Sequence, residues 1–527
     1  MKRLTLMTVL VGGACMAAGL AGCGAPVLLE GTIVDQRART AGDENAGTVD
    51  MPLATISAAV AKAAPGDVIT VRAGTYPELV KIAASGAEGK PITLQAAPGE
   101  RVVIGGSGDG RHGITWAAGA GHLRIRGFEV SGGRGIGSTD KGGHHIEISE
   151  CVVLGAPIRL MGHSDCVVRR CVQGRNKGNG VSLNGCTRCT VEECEIFDNY
   201  ADGLVVTHGS DGCAVRRNYI HNHWYDHHPD ALQIYRTVTH LTVEGNLLFN
   251  SGQGFMMEQA DGGVFRNNMM IGTHHSGLLL GHRNTHNWTV EGNTIAYTGF
   301  KAVTYSGHGT VFRNNIILAG GDSKLLEKAG ADPCKSDYNL YWKPEGRDVV
   351  YHVPEGEDQH SKFADPRFRS APTLLGVGLA VYYIDVWGDK EAAAKSTPGK
   401  LYLIGRPLTD RFVPGDHVEC NFDGKVRKVT EVAADYVAFE PPLEKRHHHP
   451  WDVIVNWEDK ADFTWDCTLA DDSPARGMGD KGQNVGSSID MRAWMKCDFD
   501  GDGRRDLPRV PEDLLTAPPD WKERDTE

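Results

Sequence analysis

Short segments of alternating hydrophobic and polar residues recur along the middle of the chain at nearly constant intervals. Seven copies align, with starts 23 to 28 residues apart: PIRLMG (157–162), GVSLNG (180–185), GLVVTH (203–208), ALQIYR (231–236), GFMMEQ (254–259), GLLLGH (277–282) and AVTYSG (302–307). Alternation with a period of two is typical of a β-strand with one buried face. That face is predicted to hold these pairs: Val181/Leu183, Leu204/Val206, Leu232/Ile234, Phe255/Met257, Leu278/Leu280 and Val303/Tyr305.

Polar and sulfur-containing residues recur with the same period between the strand copies. One column holds asparagines and, in earlier copies, cysteines: Asn218, Asn246, Asn268, Asn293, Asn315, Cys151, Cys171 and Cys194. A second column holds Cys166, Cys189 and Cys213. Stacked asparagines at a corner can bond to their counterparts one coil above and below, as a parallel solenoid requires. The cysteines are then expected to be small core residues with reduced thiols, and a disulfide between adjacent coils is the alternative.

A period of 23 residues with three strand-turn units resembles the right-handed parallel β-helix of the pectate-lyase-like superfamily, over roughly residues 48–370. The segment TVDMPLATISAAVAKAAPGDVITVRAGTYPELVKI resembles the opening of such proteins. There a helix over 55–64 would cap the core, followed by a strand and a turn at GTY. The resemblance implies an all-β fold. It does not choose a function, because this fold hosts lyases, hydrolases, epimerases and non-catalytic proteins.

The C-terminal third departs from the repeat. FADPRFRSAP (363–372) resembles the closing segment of β-helix chains, but its usual continuation begins only at DFTWDC, from residue 462. Short alternating strands lie between, so residues 373–460 are predicted to form a small inserted β-barrel or sandwich. Its role is either lateral packing or carbohydrate binding. The predicted domains are 1–22 (signal peptide), 23–47 (tether), 48–372 (β-helix with cap), 373–460 (inserted domain) and 461–527 (closing segment and tail).

The N-terminus is typical of a targeting segment. Lys2 and Arg3 precede an apolar run, and Leu20-Ala21-Gly22-Cys23 resembles the lipobox of bacterial lipoproteins. The resemblance implies cleavage before Cys23 and lipidation of that residue. The mature chain would then be exported to the cell envelope and would touch the membrane through its lipid only. A plain secretory signal or a membrane span is the alternative.

Length and charge narrow the partners. A chain of 527 residues is too long for one simple core, and its 66 glycines indicate many turns. The net charge of −12 argues against nucleic acid, because no basic excess is present to neutralise phosphates. An acidic polysaccharide needs only a local cationic groove, so it stays the expected partner. We expect a monomer.

The candidate site centres on NHWYDHHPDALQIYR (222–236), where one interval between copies is five residues longer. A loop lengthened beside a polar sheet face would form the wall of a groove. The predicted catalytic residues are Asp202, His227, His228, Asp230, Tyr235, Arg236, Glu258 and His282. The predicted substrate-binding residues are His208, Trp224, Tyr225, Gln233, Gln259, His274, His275, Arg283 and Lys301. One outward-facing column at the strand starts would hold Asn179, Asp202, Asp230, Gln253, Ser276 and Lys301.

Several mechanisms fit these residue types. A uronate polymer could be cleaved by β-elimination or epimerised at C5, with Arg236 and His282 neutralising the carboxylate, a His or Tyr moving the proton, and Asp230 orienting an imidazole. Residues 225–230 resemble, in a different order, the Tyr/Asp-Pro-His cluster of alginate epimerases. Alternatively, Asp202 and Asp230 in adjacent coils could hydrolyse a glycoside. A Ca²⁺ or Zn²⁺ ion among Asp202, His228 and Asp230, a glycan-binding groove without catalysis, and a structural role for Asp202 and Asp230 at turn amides also stay open.

The tail contains one further candidate site, DFDGDGRRD (498–506). Its acidic residues and Gly503 have the spacing of a Ca²⁺ loop, although Arg509 stands at the twelfth position. A structural Ca²⁺ is predicted there, and a solvated acidic turn is the alternative. The predicted ligands are Asp498, Asp500, Asp502 and Asp506.

Overall fold

The structure is a computed structural model. It describes residues 29–106, 110–223, 229–282, 284–305, 308–319, 324–328, 334–344, 353, 355–381, 395–403, 407–443 and 451–512. No helix among these residues has the length and hydrophobicity needed to span a bilayer. Several predicted residues lie outside the described ranges: Cys23, Trp224, Tyr225, His227, His228 and Arg283.

Three parallel sheets form a solenoid. From Val68 to Lys328, each coil contributes one strand to each sheet in the order A, B, C, and sheets A and B each have two further strands outside this range. Sheet A contains Thr32–Val34, Val68–Val71, Ile92–Ala96, Gly121–Arg126, His144–Ser149, Val167–Arg169, Thr190–Glu192, Ala214–Arg216, Val238–Glu244, Ala260–Arg266, His286–Glu291, Val311–Arg313 and Lys335–Asp337. Sheet B contains Gly74–Tyr76, Val102–Ile104, Glu129–Ser131, Val152–Leu154, Val172–Gly174, Glu195–Phe197, Tyr219–His223, Leu247–Ser251, Met269–Thr273, Thr294–Thr298, Ile316–Ala319, Leu340–Trp342 and Lys362–Phe363. Sheet C contains Leu79–Ile82, Gly113–Trp116, Ile136–Ser138, Ile158–Met161, Val181–Asn184, Leu204–Thr207, Asp230–Tyr235, Gln253–Glu258, Ser276–His282, Lys301–Tyr305 and Lys324–Lys328. The predicted all-β solenoid is confirmed.

The predicted repeat copies are the strands of sheet C. Val181, Leu204, Leu232 and Phe255 are partners in the strand register, so the copies stack as the alignment requires. The six predicted inward pairs are all buried, with 0 to 3% of each residue exposed. Their alternation was therefore a correct indicator of the core face.

The asparagine column is a continuous buried ladder. Each side-chain amide donates to the carbonyl oxygen of the next asparagine, from Asn218 to Asn339, at 2.9 to 3.1 Å. The Cys194 backbone N–H joins this ladder by donating to Asn218 Oδ1 at 3.0 Å. The cysteines in the described part of the chain are buried and unbridged, as expected of core residues.

The N-terminal helix is shorter than predicted. It spans Ile56–Ala61, and the Thr55 hydroxyl caps it by accepting a hydrogen bond from Ala58 N. Pro65 accounts only for the exclusion of Ala64 from the helix, because a proline disfavours helical geometry in the residue before it. The predicted turn at GTY is wrong: Gly74–Tyr76 is the first strand of sheet B.

Antiparallel sheets follow the solenoid. Phe368–Ser370 pairs with Asp466–Leu469 across the predicted insertion. Between them lies a six-stranded sheet in the order Thr373–Val381, Trp451–Glu458, His417–Cys420, Arg427–Val432, Tyr436–Glu440 and Lys400–Tyr402. A 3₁₀ turn covers Leu408–Asp410, and a short helix covers Met491–Trp494.

The inserted sheet packs against the outer side of sheet B. The Phe422 ring of the insertion lies 5.9 Å from Phe249, and the Trp465 ring of the closing segment, which follows the insertion, lies 5.2 Å from Tyr297. Edge-on aromatic contacts of this kind stabilise an apolar interface. The contacts agree with a packing role for residues 373–460.

The asparagine ladder is expected to be a major source of stability. In the Asn268→Ala variant, the Asn246 amide groups and the Val243 carbonyl lose partners at 2.9 to 3.0 Å inside the core. We expect the free energy of unfolding to fall by about 3 kcal/mol, because buried polar groups left unpaired are costly. Urea denaturation measures this. Asn184→Ala, on the half-exposed outer face of sheet C, is the control, and an equal loss there would contradict the account.

Candidate active site

One connection between a sheet B strand and a sheet C strand is five residues longer than the equivalent connection in the next coil. His223 ends a strand of sheet B and Asp230 begins the next strand of sheet C. In the following coil, only Gly252 separates Ser251 from Gln253 at the same corner. Residues 224–228 of this longer connection lie outside the described part of the chain.

The predicted column at the strand starts is present. Asp230 is the strand partner of Gln253, and Ser276 is the partner of Lys301. Asp202 Oδ1 accepts a hydrogen bond from Asp230 N at 2.9 Å, and Asn179 Oδ1 accepts one from Asp202 N at 3.3 Å. The Asp202 carboxylate therefore bonds to a backbone amide at the turn of the next coil. This is the structural role considered for these aspartates.

Three members of this column are buried, where an open groove was expected. Asp230, Gln253 and Ser276 are at most 4% exposed. Within the described residues, both carboxylate oxygens of Asp230 lack a hydrogen-bond partner, as do Gln253 Oε1 and His223 Nδ1. We call His223, Asp230, Gln253 and Ser276 the strand-start cluster. Buried polar atoms without partners are rare and are typical of sites that take up water, an ion or a ligand group.

Burial and charge change the proton affinities in this cluster. Burial, with a smaller effect of the negative charge of Asp202, raises the pKa of Asp230 well above its usual range. Burial, helped by His221, lowers the pKa of His223 to about 3. His223 is therefore neutral near pH 7. Its Nε2 lies 3.2 Å from the Ile196 carbonyl and must carry the hydrogen, which leaves Nδ1 as a bare acceptor.

A second polar group lies at the opposite end of the same strands. His208 Nε2 is 2.5 Å from Arg236 Nη1, and the His208 ring lies edge-on to Tyr235 at 6.0 Å. The Arg236 guanidinium lies over the Tyr235 ring at 5.4 Å. We call His208, Tyr235 and Arg236 the strand-end cluster. It brings together three of the predicted site residues, and His208 and Arg236 are exposed.

The contact with Arg236 favours one tautomer of a neutral His208 ring. A guanidinium has donors only, so His208 Nε2 must accept the hydrogen bond from Arg236. The hydrogen of the neutral ring is then on Nδ1, which lies 3.0 Å from the Thr207 hydroxyl. His208 therefore presents a lone pair on Nε2, and Arg236 covers it.

The backbone at this corner is left-handed in successive coils. The corresponding residues are Gly162, Gly185, His208, Arg236 and Gln259, with φ between 54° and 64°. Glycine adopts this conformation at little cost, whereas other residues are strained by about 1–2 kcal/mol. His208 and Arg236 thus occupy positions where earlier coils have glycine. Left-handed non-glycine residues also recur at other corners of the solenoid, among them Glu193 and Arg217, so this conformation does not by itself indicate a function.

The two clusters are too far apart to act on one sugar. Asp230 and Tyr235 are five residues apart along a strand, which corresponds to about 16 Å. The prediction that Arg236 neutralises a carboxylate beside an imidazole oriented by Asp230 therefore does not fit this geometry. The columns predicted at the two ends of the sheet C strands are present. The length of the strand separates the strand-start cluster from the strand-end cluster.

Other predicted site residues lie on the next coils of sheet C or on its outer face. Glu258 is the register partner of His282, after an irregularity in the pairing, and Gln259 is exposed at the strand end. Gln233 Nε2 lies 3.5 Å from Met256 Sδ on the outer face of sheet C. Glu258, Gln259 and the backbone of His282 thus extend the strand-end cluster into the next coils.

The residues predicted from the later corners have different surroundings. His274 is fully buried, bonds to Asn250 Oδ1 at 2.8 Å and lies edge-on to Phe422 of the inserted sheet. It is therefore not a groove residue in this structure. His275 bonds to the Ser276 hydroxyl and stacks on Phe300, over which Lys301 also lies at 5.1 Å.

The acidic loop brings three of its four predicted ligands together. Carboxylate oxygens of Asp498, Asp500 and Asp506 lie within 4.8 Å of one another. Asp502 is not in this group, and its Oδ1 accepts a hydrogen bond from Arg504 N at 2.8 Å. Several of the clustered oxygens also accept backbone N–H bonds, as in an acidic turn. Oxygen ligands suit Ca²⁺, and its binding here stays a prediction.

Sequence reasoning did not select His223 as a site residue. The signal available was its place at the end of a sheet B strand, directly before the insertion. Gly203 was also missed. A Cβ there would lie 2.7 Å from both His223 Nε2 and the Ala231 carbonyl, so the corner closes only over a glycine.

The chain is similar to a known protein family and to other proteins over part of its length. The family described as "Pel9A-like, right handed beta helix region" matches residues 37–253, less than half of the chain. Uncharacterized protein YwoF of Bacillus subtilis is 44% identical over 64 residues, which are 12% of this chain and 14% of that protein. Pectate lyase PEL9 of Emericella nidulans is 42% identical over 66 residues, 12% of this chain and 16% of that protein. The chain thus matches less than a fifth of the length of either relative.

Solved structures with a similar course of the chain include two carbohydrate-active enzymes. Pectate lyase Pel9A is 17% identical, with a TM-score of 0.39, over 59% of this chain and 80% of that chain. The A-module of mannuronan C-5 epimerase AlgE6 from Azotobacter vinelandii is 13% identical, with a TM-score of 0.45, over 57% of this chain and 92% of that one.

The raised pKa of Asp230 predicts how stability depends on pH. A carboxyl whose pKa is higher in the folded state stabilises the fold when protonated, and this contribution is lost as pH rises above its ordinary value. Asp230→Asn should therefore match the wild type near pH 4 and become the more stable protein towards pH 8. Thermal denaturation at both pH values measures this. Destabilisation by Asp230→Asn at pH 8 would show that the charged carboxylate has a stabilising partner.

Proposed function

We propose that this protein is an exported enzyme that acts on a uronate polysaccharide by removing the proton at C5, as a lyase or an epimerase. The strand-end cluster is the proposed active site. The observation that carries the proposal is the contact of the Arg236 guanidinium with both His208 and Tyr235. One cation and two groups able to transfer protons are thereby combined on an exposed corner of sheet C.

Each group has a role in this chemistry. Arg236 would pair with the uronate carboxylate and reduce its charge, which makes the neighbouring C5 proton more acidic. His208 Nε2 would accept that proton, and the Tyr235 hydroxyl would protonate the leaving oxygen at C4. The C5–H and C4–O bonds break, and a C4–C5 double bond forms. In epimerisation, a proton instead returns to C5 from the opposite face.

The contact between Arg236 and His208 provides a way to couple binding to activation. In the free protein, the guanidinium donates to the lone pair that the base requires. A substrate carboxylate competes for the same donor, because it offers a charged acceptor in place of a neutral one. Once Arg236 turns to the carboxylate, His208 Nε2 is free to accept the C5 proton.

The charge of the same sheet face supports an acidic substrate. Arg134 and Arg159 line a hollow together with Gly137 and Ser138, near the start of sheet C. Arg159 belongs to the column of Ser182, Val205 and Gln233 and so lies three coils, or about 14 Å, from Gln233. Arg134 and Arg159 thus add cationic side chains to the same region of the solenoid, which suits a polymer with repeated carboxylates.

The strand-start cluster favours a second candidate, glycoside hydrolysis. Asp230 has a raised pKa beside Asp202 in the adjacent coil, and an acid and a base with separated pKa values are the usual pair of a hydrolase. A bound cation at these aspartates is the other use of the same carboxylates. A groove that binds glycan without changing it is the remaining alternative.

Export and membrane attachment belong to the same proposal. The lipobox-like segment would place the enzyme in the cell envelope, held through a lipid on Cys23 and otherwise without membrane contact. A polysaccharide too large to enter a cell is accessible there. The pectate lyase named among the relatives supports a substrate of this class, within the short segment that it shares with this chain.

The decisive variant is Arg236→Gly, because glycine is the residue that earlier coils have at this left-handed position. We expect the free energy of unfolding to change by no more than about 1 kcal/mol. Turnover should fall at least about a hundredfold, since a cation that stabilises developing negative charge is removed. The assay is a panel of polyuronates, read by new ultraviolet absorbance for elimination, by C5 stereochemistry for epimerisation and by reducing ends for hydrolysis.

Arg188→Gly is the matched control. Arg188 is also left-handed, with φ of 52°, but lies at a corner of sheet A. Wild-type turnover in Arg236→Gly would contradict the proposed site. Reducing ends without ultraviolet absorbance, lost in Asp230→Asn, would favour hydrolysis, and glycan affinity without any product would favour a binding protein.

A further inference from the structure

Three histidines cluster at a corner of sheet A that the proposed active site does not use. Ligand nitrogens of His122, His144 and His145 all lie within 4.8 Å of one another. The strands Gly121–Arg126 and His144–Ser149 are adjacent, and His144 is the register partner of Gly121. The cluster therefore joins two successive coils. It lies on a different sheet and several coils before the strand-end cluster.

The spacing of these nitrogens is close to that of a metal site. His144 Nδ1 and His145 Nδ1 are 3.1 Å apart. In a tetrahedral zinc site with Zn–N bonds of 2.0–2.1 Å, two ligand nitrogens are separated by about 3.3 Å. The rings of His122 and His145 stack at 4.8 Å with an angle of 19°, and His122 lies edge-on to His144 at 5.2 Å. Small rotations of partly exposed side chains would bring all three nitrogens to one ion.

The chain leaves space for one of these rings. A Cβ at residue 121 would lie 2.3 to 2.6 Å from three atoms of the His144 imidazole. Gly121 lacks the left-handed backbone that would otherwise explain a glycine, since it is not among the glycines with positive φ. The glycine thus forms a cradle in which the His144 ring can lie across the coil below.

In the next coil, the carboxylate that could serve as a fourth protein ligand is part of an ion pair. Asp165 follows His145 at the same corner, and Arg188 binds both of its carboxylate oxygens at 2.7 and 2.8 Å. That carboxylate is therefore engaged by a guanidinium. His145 is exposed, so solvent can reach the cluster.

We propose that His122, His144 and His145 bind a divalent transition-metal ion of the Zn²⁺ class, with solvent at the fourth position. Imidazole nitrogens suit such ions, whereas Ca²⁺ and Mg²⁺ require oxygen ligands. The ion would clamp two coils near the N-terminal end of the solenoid. This site is independent of the polysaccharide chemistry proposed for sheet C.

The test is calorimetric titration of the full, tag-free chain with Zn²⁺. The chain also contains a run of three consecutive histidines, His447-His448-His449, which are replaced by alanine so that they cannot compete for the ion. We expect one ion per chain at this site. His144→Ala should raise the dissociation constant for Zn²⁺ at least about tenfold. Even the loss of a group that only hydrogen-bonds to a metal ligand has an effect of that size. Visible absorption of the Co²⁺ form should show the strong bands of a four-coordinate nitrogen site and should lose them in His144→Ala.

Two matched variants make the result specific. Gly121→Ala keeps all three histidines but fills the space of the His144 ring, so it should also weaken Zn²⁺ binding. His240→Ala removes an exposed histidine from a later coil of sheet A, where it bonds to Asp211, and should leave binding unchanged. Equal Zn²⁺ affinity in the wild-type background, His144→Ala and Gly121→Ala would overturn the proposal and would leave a stack of hydrogen-bonded histidines.

Discussion

The fixed stacking of one coil on the next is the constraint on which the rest of this structure depends. Backbone hydrogen bonds hold neighbouring strands about 4.8 Å apart, and the buried asparagine ladder repeats that spacing with side-chain amides. The side chains from Asn218 to Asn339 form one chain of donors and acceptors. If one coil slid out of register, the buried amide groups of the adjacent coils would lose their hydrogen-bond partners. Residues at equivalent positions of successive coils therefore stack in a column along the solenoid.

The two proposed polar clusters lie at the corners of these coils, where the backbone leaves the regular strand. At the start of the sheet C strands, Asp230 is buried beside the negative charge of Asp202, which raises its pKa. At the end of the same strands, His208 and Arg236 take a left-handed conformation that Gly162 and Gly185 take in earlier coils. Both features oppose stability locally. The regular core and ladder stabilise a fold that can hold them.

The sequence was sufficient to predict the repeat, its core face and the asparagine ladder, because all three are periodic. Leu232, Ile234 and Asn268 needed only their spacing to be placed correctly. The surroundings of the site were harder to predict, because they depend on contacts that are not periodic. His274 packs against Phe422, which is far away in the sequence. The histidine cluster of sheet A was missed since it lies before the first aligned strand copy, although His122 and His145 have the spacing of one coil.

The central claim is that the strand-end cluster removes the C5 proton of a uronate and that water takes no part in breaking the glycosidic bond. Product analysis in water labelled with heavy oxygen and deuterium tests it directly. The account predicts products without solvent oxygen at the cleaved bond, either unsaturated at C4–C5 or with deuterium at an inverted C5. Solvent oxygen in every new reducing end, with C5 still carrying its original hydrogen, would contradict it and assign bond cleavage to hydrolysis.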